Sequence, residues 1–316
     1  MQRRHRDPAV CPGCGSPLEP WRTVPASEPQ LAGRNYELLR CARCGTAVTA
    51  GEPAPELHEQ GAYQPARPRL HRAARPILAA FDAQRLALLG RLAAPGARLL
   101  DVGAGQGRFV VRARAAGYNA SGIDPHRRFS GPGGEASAVV ARTSVEQAQI
   151  TPESLDVVTL WHVLEHVDDP RDALERIAGW LAPQGGVIVA VPNLASLQAR
   201  LGRERWYHLD VPRHRTHFTP AGLMALLGAT GFEVVAVEHR LLEHNPFGMW
   251  QSALNRLSRE PSWLYNVLKH NAPWRARELV LTALAVPLVP VAAAVELAAG
   301  LARRGGTIVV LARRRA

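Results

Sequence analysis

The chain has 316 residues, 47% of them hydrophobic, and carries 38 Lys+Arg against 27 Asp+Glu for a net charge of +11. This length and apolar content exclude a disordered chain or a disulfide-stapled miniature fold, and suit one large α/β domain with smaller attachments. The positive balance favours phosphates, anionic lipid or nucleic acid as partners, although only Lys269 is a lysine and an arginine bias also follows from genome composition.

The basic start, MQRRHRDPAVCPGC, lacks the apolar run of a secretory signal, so a cytoplasmic location is expected. All four cysteines fall in two Cys-x-x-Cys-Gly knuckles, Cys11/Cys14 and Cys41/Cys44, with a strand-like YELLRC leading into the second. This spacing predicts a tetrahedral Zn2+ site in place of disulfides. Four thiolates leave no open coordination position, so the role expected for the ion is structure or recognition and not chemistry. Residues 1–50 therefore read as a zinc-ribbon-like module, the Pro- and Gly-rich 51–68 as a linker, and 69–316 as the main domain.

After the linker, apolar spacing predicts a helix broken near Pro76 and stopped at Pro95-Gly96. Strand signals follow at 98–102, 120–124, 154–161 and 186–192, and helix signals at 107–116 and 170–181. That alternation demands crossover connections and a mostly parallel sheet whose ligand site lies at the strand C-termini. Two further strands, at 231–240 and 305–314, suit one edge of the sheet.

The stretch LLDVGAGQGRF, beginning at Leu99, joins the first of these strands to a helix. A dinucleotide fingerprint needs G-x-G-x-x-G, whereas here the third glycine, Gly107, arrives one residue early. Gly103, Gly105 and Gly107 still let backbone approach a ligand closely. Asp101 at the strand end would repel a pyrophosphate and attract an ammonium or sulfonium, so the match is to a nucleoside with a cationic tail. Asp124 ends the next strand, 23 residues on, where a carboxylate can accept both hydroxyls of a ribose.

With LLDVGAGQGRF, GIDPH, the LDVVTLWHVLEHVDDP segment and HFTPAGLMALLGATGF in order, the chain resembles the class I S-adenosylmethionine-dependent methyltransferases. The resemblance covers roughly residues 99–231. It implies a Rossmann-like, seven-stranded, mostly parallel α/β sheet, with an antiparallel last strand placed at 307–311. It also implies that Asp101, Gly103 and Gly105 face the methionine part of the cofactor and Asp124 the ribose, with Val145, between Ser144 and Glu146, near the adenine. Trp161 is expected to wall the cofactor. The inserted Gln184 in LAPQGG departs from the usual Pro-Gly-Gly turn and should alter only a loop.

Methyl transfer is an in-line displacement, and a hydroxyl nucleophile also needs a base. Two loops at the strand C-termini offer one. The first holds His162, Glu165 and His166, of which Glu165 and His166 resemble a motif that often caps and packs. The second holds His208, Asp210, Arg213, His214 and His217. The expected base is His208 or His214 with Asp210 orienting it, and His162 is a further catalytic candidate.

Between the last two strands lies an insertion, 241–304, with Trp250, Trp263, Trp274 and several arginines, followed by residues 279–295 without a charge before Glu296. Seventeen residues of helix reach about 25 Å, short of a hydrocarbon core of about 30 Å, and a single crossing would strand the last β-strand on the wrong side. The segment is therefore expected to be a hairpin bent at Pro287 and Pro290, an interfacial helix pair with tryptophans at headgroup depth, or an apolar cover for the core or a second copy of the chain. The first two place the protein peripherally on the inner face of a membrane.

The function expected is methyl transfer, on oxygen, to a small-molecule, glycan or lipid-linked acceptor. A zinc module and a net charge of +11 would also suit an RNA methyltransferase, but the stretch WHVLEH lacks the Asn/Asp-Pro-Pro-aromatic pattern of base amino-group methylation. The zinc module resembles one preceding sugar C-methyltransferase domains, which keeps carbon methylation open. A scaffold that retains a nucleoside pocket is a third class.

Overall fold

In a computed structural model of the chain, residues 9–51, 75–126 and 139–315 are described. The 51–68 linker, apart from Gly51, and the first residues of the helix expected after it lie outside them.

The main sheet has seven strands: β4 (Arg98–Val102), β5 (Asn119–Ile123), β6 (Val140–Ala141), β7 (Leu155–Trp161), β8 (Leu181–Pro192), β10 (Phe232–Glu238) and β11 (Thr307–Arg314). Their spatial order is β10-β11-β8-β7-β4-β5-β6. The strands from β8 to β6 run parallel, whereas β11 pairs antiparallel with both β8 and β10. The core strands read as unbroken apolar runs, such as VIVAV in β8, because both faces are covered. On one face Leu100, Val158, Val189 and Val310 pack with Leu174 and Ile177 of α3 (Pro170–Trp180) and Leu223 and Leu227 of α5 (Pro220–Ala229). On the other, Leu99, Val157, Ile188 and Val309 pack with Leu89 of α1 (Arg75–Leu89) and Phe109 and Val110 of α2 (Arg108–Ala115).

Element starts follow local chemistry. Gly107, at φ 77°, is the N-cap of α2, and the Asp169 carboxylate accepts from the Arg171 and Asp172 amides at 3.0 Å to cap α3. LAPQGG sits in a register shift of β8: Leu181 pairs with Leu155, and pairing resumes at Gly186 opposite Val157, with Gln184 at φ 64° in between.

The N-terminal residues do not form a bead on a string. A second sheet orders β1 (Leu18–Pro25), β2 (Asn35–Cys41), β3 (Ala47–Thr49) and β9 (Thr216–His217), and β9 belongs to the histidine-rich loop of the main domain. Val24 and Leu38 share a small core with Trp206, Leu209 and Val211 of that loop. The histidine-rich loop runs on from α4 (Leu197–Gly202).

The insertion folds as α6 (Asn245–Asn255), α7 (Trp263–Leu268), α8 (Ala276–Ala285) and α9 (Val289–Leu301), the last two joined by a 3-10 turn at Val286–Leu288. Residues 276–301 thus run on as one helical stretch and not as a sharp hairpin. The expectation of tryptophans at headgroup depth fails for two of the three. Trp250 and Trp263 are buried, their indole N–H groups donating to the Ala285 and Pro273 carbonyls, and only Trp274 is exposed.

Candidate active site

The glycine loop closes the C-terminal end of β4. The Gly103 and Ala104 amides donate to the Ile123 carbonyl, and Gly103, Gly105 and Gly107 all take positive φ, which L side chains rarely adopt. At Gly103 a side chain would also overlap Val163, so glycine is what lets the loop after β7 close down on this turn. At Gly105 nothing lies within 4 Å of where a Cβ would stand, leaving space for a ligand.

Asp101 is buried, and register places Thr159 beside it, the Thr159 hydroxyl donating to Oδ1 at 2.7 Å. Burial pushes its carboxyl up to about 7, against the hydrogen bond from Thr159 that holds it down. A buried acid so poised gains most from a cation, as an ammonium or sulfonium would supply. The Asp124 carboxylate accepts from the Gly105 amide through Oδ2 and from the His126 amide through Oδ1, both at 2.9 Å. Each oxygen keeps lone pairs for a ribose hydroxyl. Val145 is buried in the core beside this end of the sheet, and Trp161 packs edge-on to Phe109 with ring centroids 5.8 Å apart. Above the Trp161 ring, at 4.9 Å, lies the guanidinium of Arg85, which donates to Glu243 at 2.8 Å. These residues fit S-adenosylmethionine.

The catalytic candidates separate into two groups. His162 follows β7 directly, its amide bonded to the Ala190 carbonyl and its backbone at φ 58°, an uncommon conformation for a residue with a side chain. Its Nδ1 stands 3.3 Å from Oε1 of Glu165, which is 1% exposed. No other hydrogen-bond partner stands at His162 Nε2 or the Glu165 carboxylate among the described residues. The His208 ring lies nearly parallel to that of His162 with centroids 6.4 Å apart, and His244 meets His162 edge-on at 5.4 Å. Burial holds His208 well below the usual imidazole range.

His214 sits in the second group. Its Nδ1 is 2.9 Å from the His208 carbonyl, and its ring is edge-on to His166 at 4.6 Å. Burial holds it, too, well below the usual range. The carboxylate of Glu165 and ring nitrogens of His166 and His214 converge to within 4.8 Å. Asp210 lies in the same group. It takes a bidentate contact from Arg213, which also pairs with buried Glu28 of the N-terminal residues, and it stands 3.8 Å from His214 Nε2. The residues that pattern reading missed are Arg85, Thr159, Glu243 and His244, which come from three separate segments; only the three-residue spacing of His162 and Glu165 was legible as a pair.

Away from this end, Cys11 Sγ lies 3.5 Å from Cys44 Sγ, and Cys14 Sγ lies 3.4 Å from Cys41 Sγ. All four sulfurs fall within 4.8 Å of one another, far from disulfide length and close to the edge of a ZnS4 tetrahedron, about 3.8 Å for Zn–S bonds of about 2.3 Å. The residues fit a structural zinc ion.

A family model described as a methyltransferase domain matches residues 69–237, more than half of the chain, and the chain belongs to this family. Its fold and glycine loop are those of the class I S-adenosylmethionine-dependent methyltransferases. Among curated proteins, it is similar to the ubiquinone biosynthesis O-methyltransferase of Photobacterium profundum, with 30% identity over 149 residues, 43% of this chain and 63% of that one. The protein of the same name from Aeromonas salmonicida is 32% identical over 153 residues, 44% and 64% of the two chains. The chain thus spans less than two thirds of these relatives. Among solved structures, it is similar to an S-adenosylmethionine-dependent methyltransferase from Mesorhizobium loti, at 17% identity and a TM-score of 0.42 over 70% of this chain and 92% of that one.

Proposed function

We propose that the protein transfers the methyl group of S-adenosylmethionine to a hydroxyl oxygen of a small-molecule acceptor, with His162 taking the hydroxyl proton. The observation that carries this reading is the His162–Glu165 pair: an imidazole fixed at the C-terminal end of β7, beside the glycine loop, with a buried carboxylate behind it. Asp101 balances the cationic end of the cofactor, Asp124 holds the ribose, Val145 lies toward the adenine, and the glycines admit the methionine part. Bound S-adenosylmethionine supplies a methyl group made electrophilic by its sulfonium. His162 receives the proton at Nε2 as the hydroxyl oxygen becomes nucleophilic, and Glu165, facing Nδ1, stabilises the imidazolium that forms. His208 and His244 stand beside His162 and shape the acceptor side. The name shared by the curated relatives supports oxygen as the site of methylation. The zinc ion held by Cys11, Cys14, Cys41 and Cys44 is structural in this reading: it sets the module on which the histidine-rich loop rests.

The test is transfer of a labelled methyl group to a panel of phenols, sugars and isoprenoid alcohols. The expected product is a methyl ether, with His162→Ala lowering kcat by about 10²–10⁴ and Glu165→Gln by a smaller factor. A carbon–carbon bond in the product would favour the sugar C-methyltransferase reading, and full turnover by His162→Ala would remove the base assigned here.

A further inference from the structure

We infer that the outer face of α8 and α9 is a docking surface for an anionic membrane. The polarity of these helices is inverted. Toward the protein they present Glu278, Thr282 and Glu296, all buried, together with Ala299 and Gly300. Glu278 accepts from the Ser258 hydroxyl at 2.7 Å and the Arg259 amide at 3.2 Å. Glu296 accepts from the Gln198 side-chain amide at 2.7 Å and the Gly306 amide at 2.6 Å, and the Trp250 indole donates to the Ala285 carbonyl. These bonds fix the rotation of the helices, so the apolar side cannot turn inward without leaving two buried carboxylates unpaired. That side faces out: Leu284 is 73% exposed and Leu301 65%, with Val280, Val286, Leu288, Val291 and Leu297 each more than half exposed. Only 11% of the apolar stretch is buried. Water is a poor partner for such a face.

The charges around it select lipid. From residue 260 to the C-terminus the chain has three acids, Glu260, Glu278 and Glu296, the last two on the buried side, against Lys269 and seven arginines. Arg275 and Arg277, beside Trp274, precede the apolar stretch and pair with Glu260 at 3.1 Å and Glu278 at 2.6 Å, and the exposed Arg303 and Arg304 follow it. An apolar face with basic ends and a flanking tryptophan matches an anionic bilayer surface, which draws in unpaired basic residues at its edge. Because β10 before the insertion and β11 after it pair within one sheet, the helices lie along the surface and do not cross it.

The test is flotation of the full-length protein with vesicles of pure phosphatidylcholine and with vesicles containing about a quarter phosphatidylglycerol. Neither S-adenosylmethionine nor an acceptor is needed, so failure of the proposed function leaves this result readable. The protein is expected to float with the anionic vesicles. Leu284→Asp with Leu288→Asp should reduce the bound fraction at least tenfold, and Arg303→Glu with Arg304→Glu should weaken it. Both pairs are exposed, and unchanged thermal unfolding would show that the variants fold. Absence of the wild-type protein from the vesicles, or equal flotation of the aspartate variant, would overturn the inference. So would a dimer in solution that the aspartate variant dissolves, with no vesicle binding, since the face would then cover a second copy of the chain.

Discussion

His162 and Asp101 show how one position in a parallel sheet sets the chemistry of a side chain. Both stand at strand C-termini where the backbone turns out of the sheet, but Asp101 is sealed by Thr159 and the glycine loop, while His162 is turned by its positive φ toward Glu165. With its carboxyl raised to about 7, Asp101 is neutral in a large share of molecules at neutral pH and ionises as pH rises. A cationic cofactor binds the ionised form. Affinity for S-adenosylmethionine should therefore rise from pH 6 to pH 8, by up to about tenfold per unit below the pKa, and Asp101→Asn should bind weakly without that slope. Titrations at several pH values check this, and a flat wild-type profile would separate Asp101 from the cofactor's charge. Asp101, Asp124 and the glycines were legible because they fall within one strand-turn-helix unit and its neighbour. The pairing of Arg213 with Glu28 was not, because Glu28 lies nearly two hundred residues earlier in the chain.

At the scale of elements, the contact between the cysteine knuckles and α5 holds the N-terminal sheet in place. The Thr219 hydroxyl both caps α5, accepting from the Gly222 amide, and donates to the Cys44 carbonyl. A Cβ at Gly222 would overlap Thr46 and stand 3.3 Å from Cys44 Sγ, and one at Gly13 would come within 2.9 Å of the Gly222 carbonyl oxygen. Gly222→Ala should therefore cost about 1–3 kcal/mol by forcing these elements apart. Because β3 pairs with β9, and the Thr49 hydroxyl donates to the His214 carbonyl at 2.6 Å, the same change should loosen the loop that carries His208 and His214. Denaturant unfolding measures the first effect; stability equal to wild type would show that α5 and the knuckles can part without loss. The cysteine spacing made the knuckles legible, but a two-residue strand such as β9 carries no pattern, so the joining of the two sheets was not. Strands β4, β7 and β11 were legible nearly to their ends because buried parallel strands are written as apolar runs between turn residues.

For the whole molecule, the alternation of strands and helices announced the doubly covered sheet, while the insertion could not be placed from its composition. An apolar run reads the same whether its apolar side faces core or solvent; only the anchoring of Glu278 and Glu296 against the protein decides it. The net charge of +11 likewise gains meaning from position, since from residue 260 onward Lys269 and seven arginines stand against three acids. Every functional assignment nonetheless depends on the cofactor at the end of β4 and β5. Calorimetric titration of S-adenosylmethionine and S-adenosylhomocysteine into the folded, zinc-loaded protein, beside Asp124→Ala, tests it most directly. Micromolar binding of both that the variant loses is the predicted result, and no binding by the well-folded wild-type protein would contradict a methyltransferase and leave a scaffold built on the same fold.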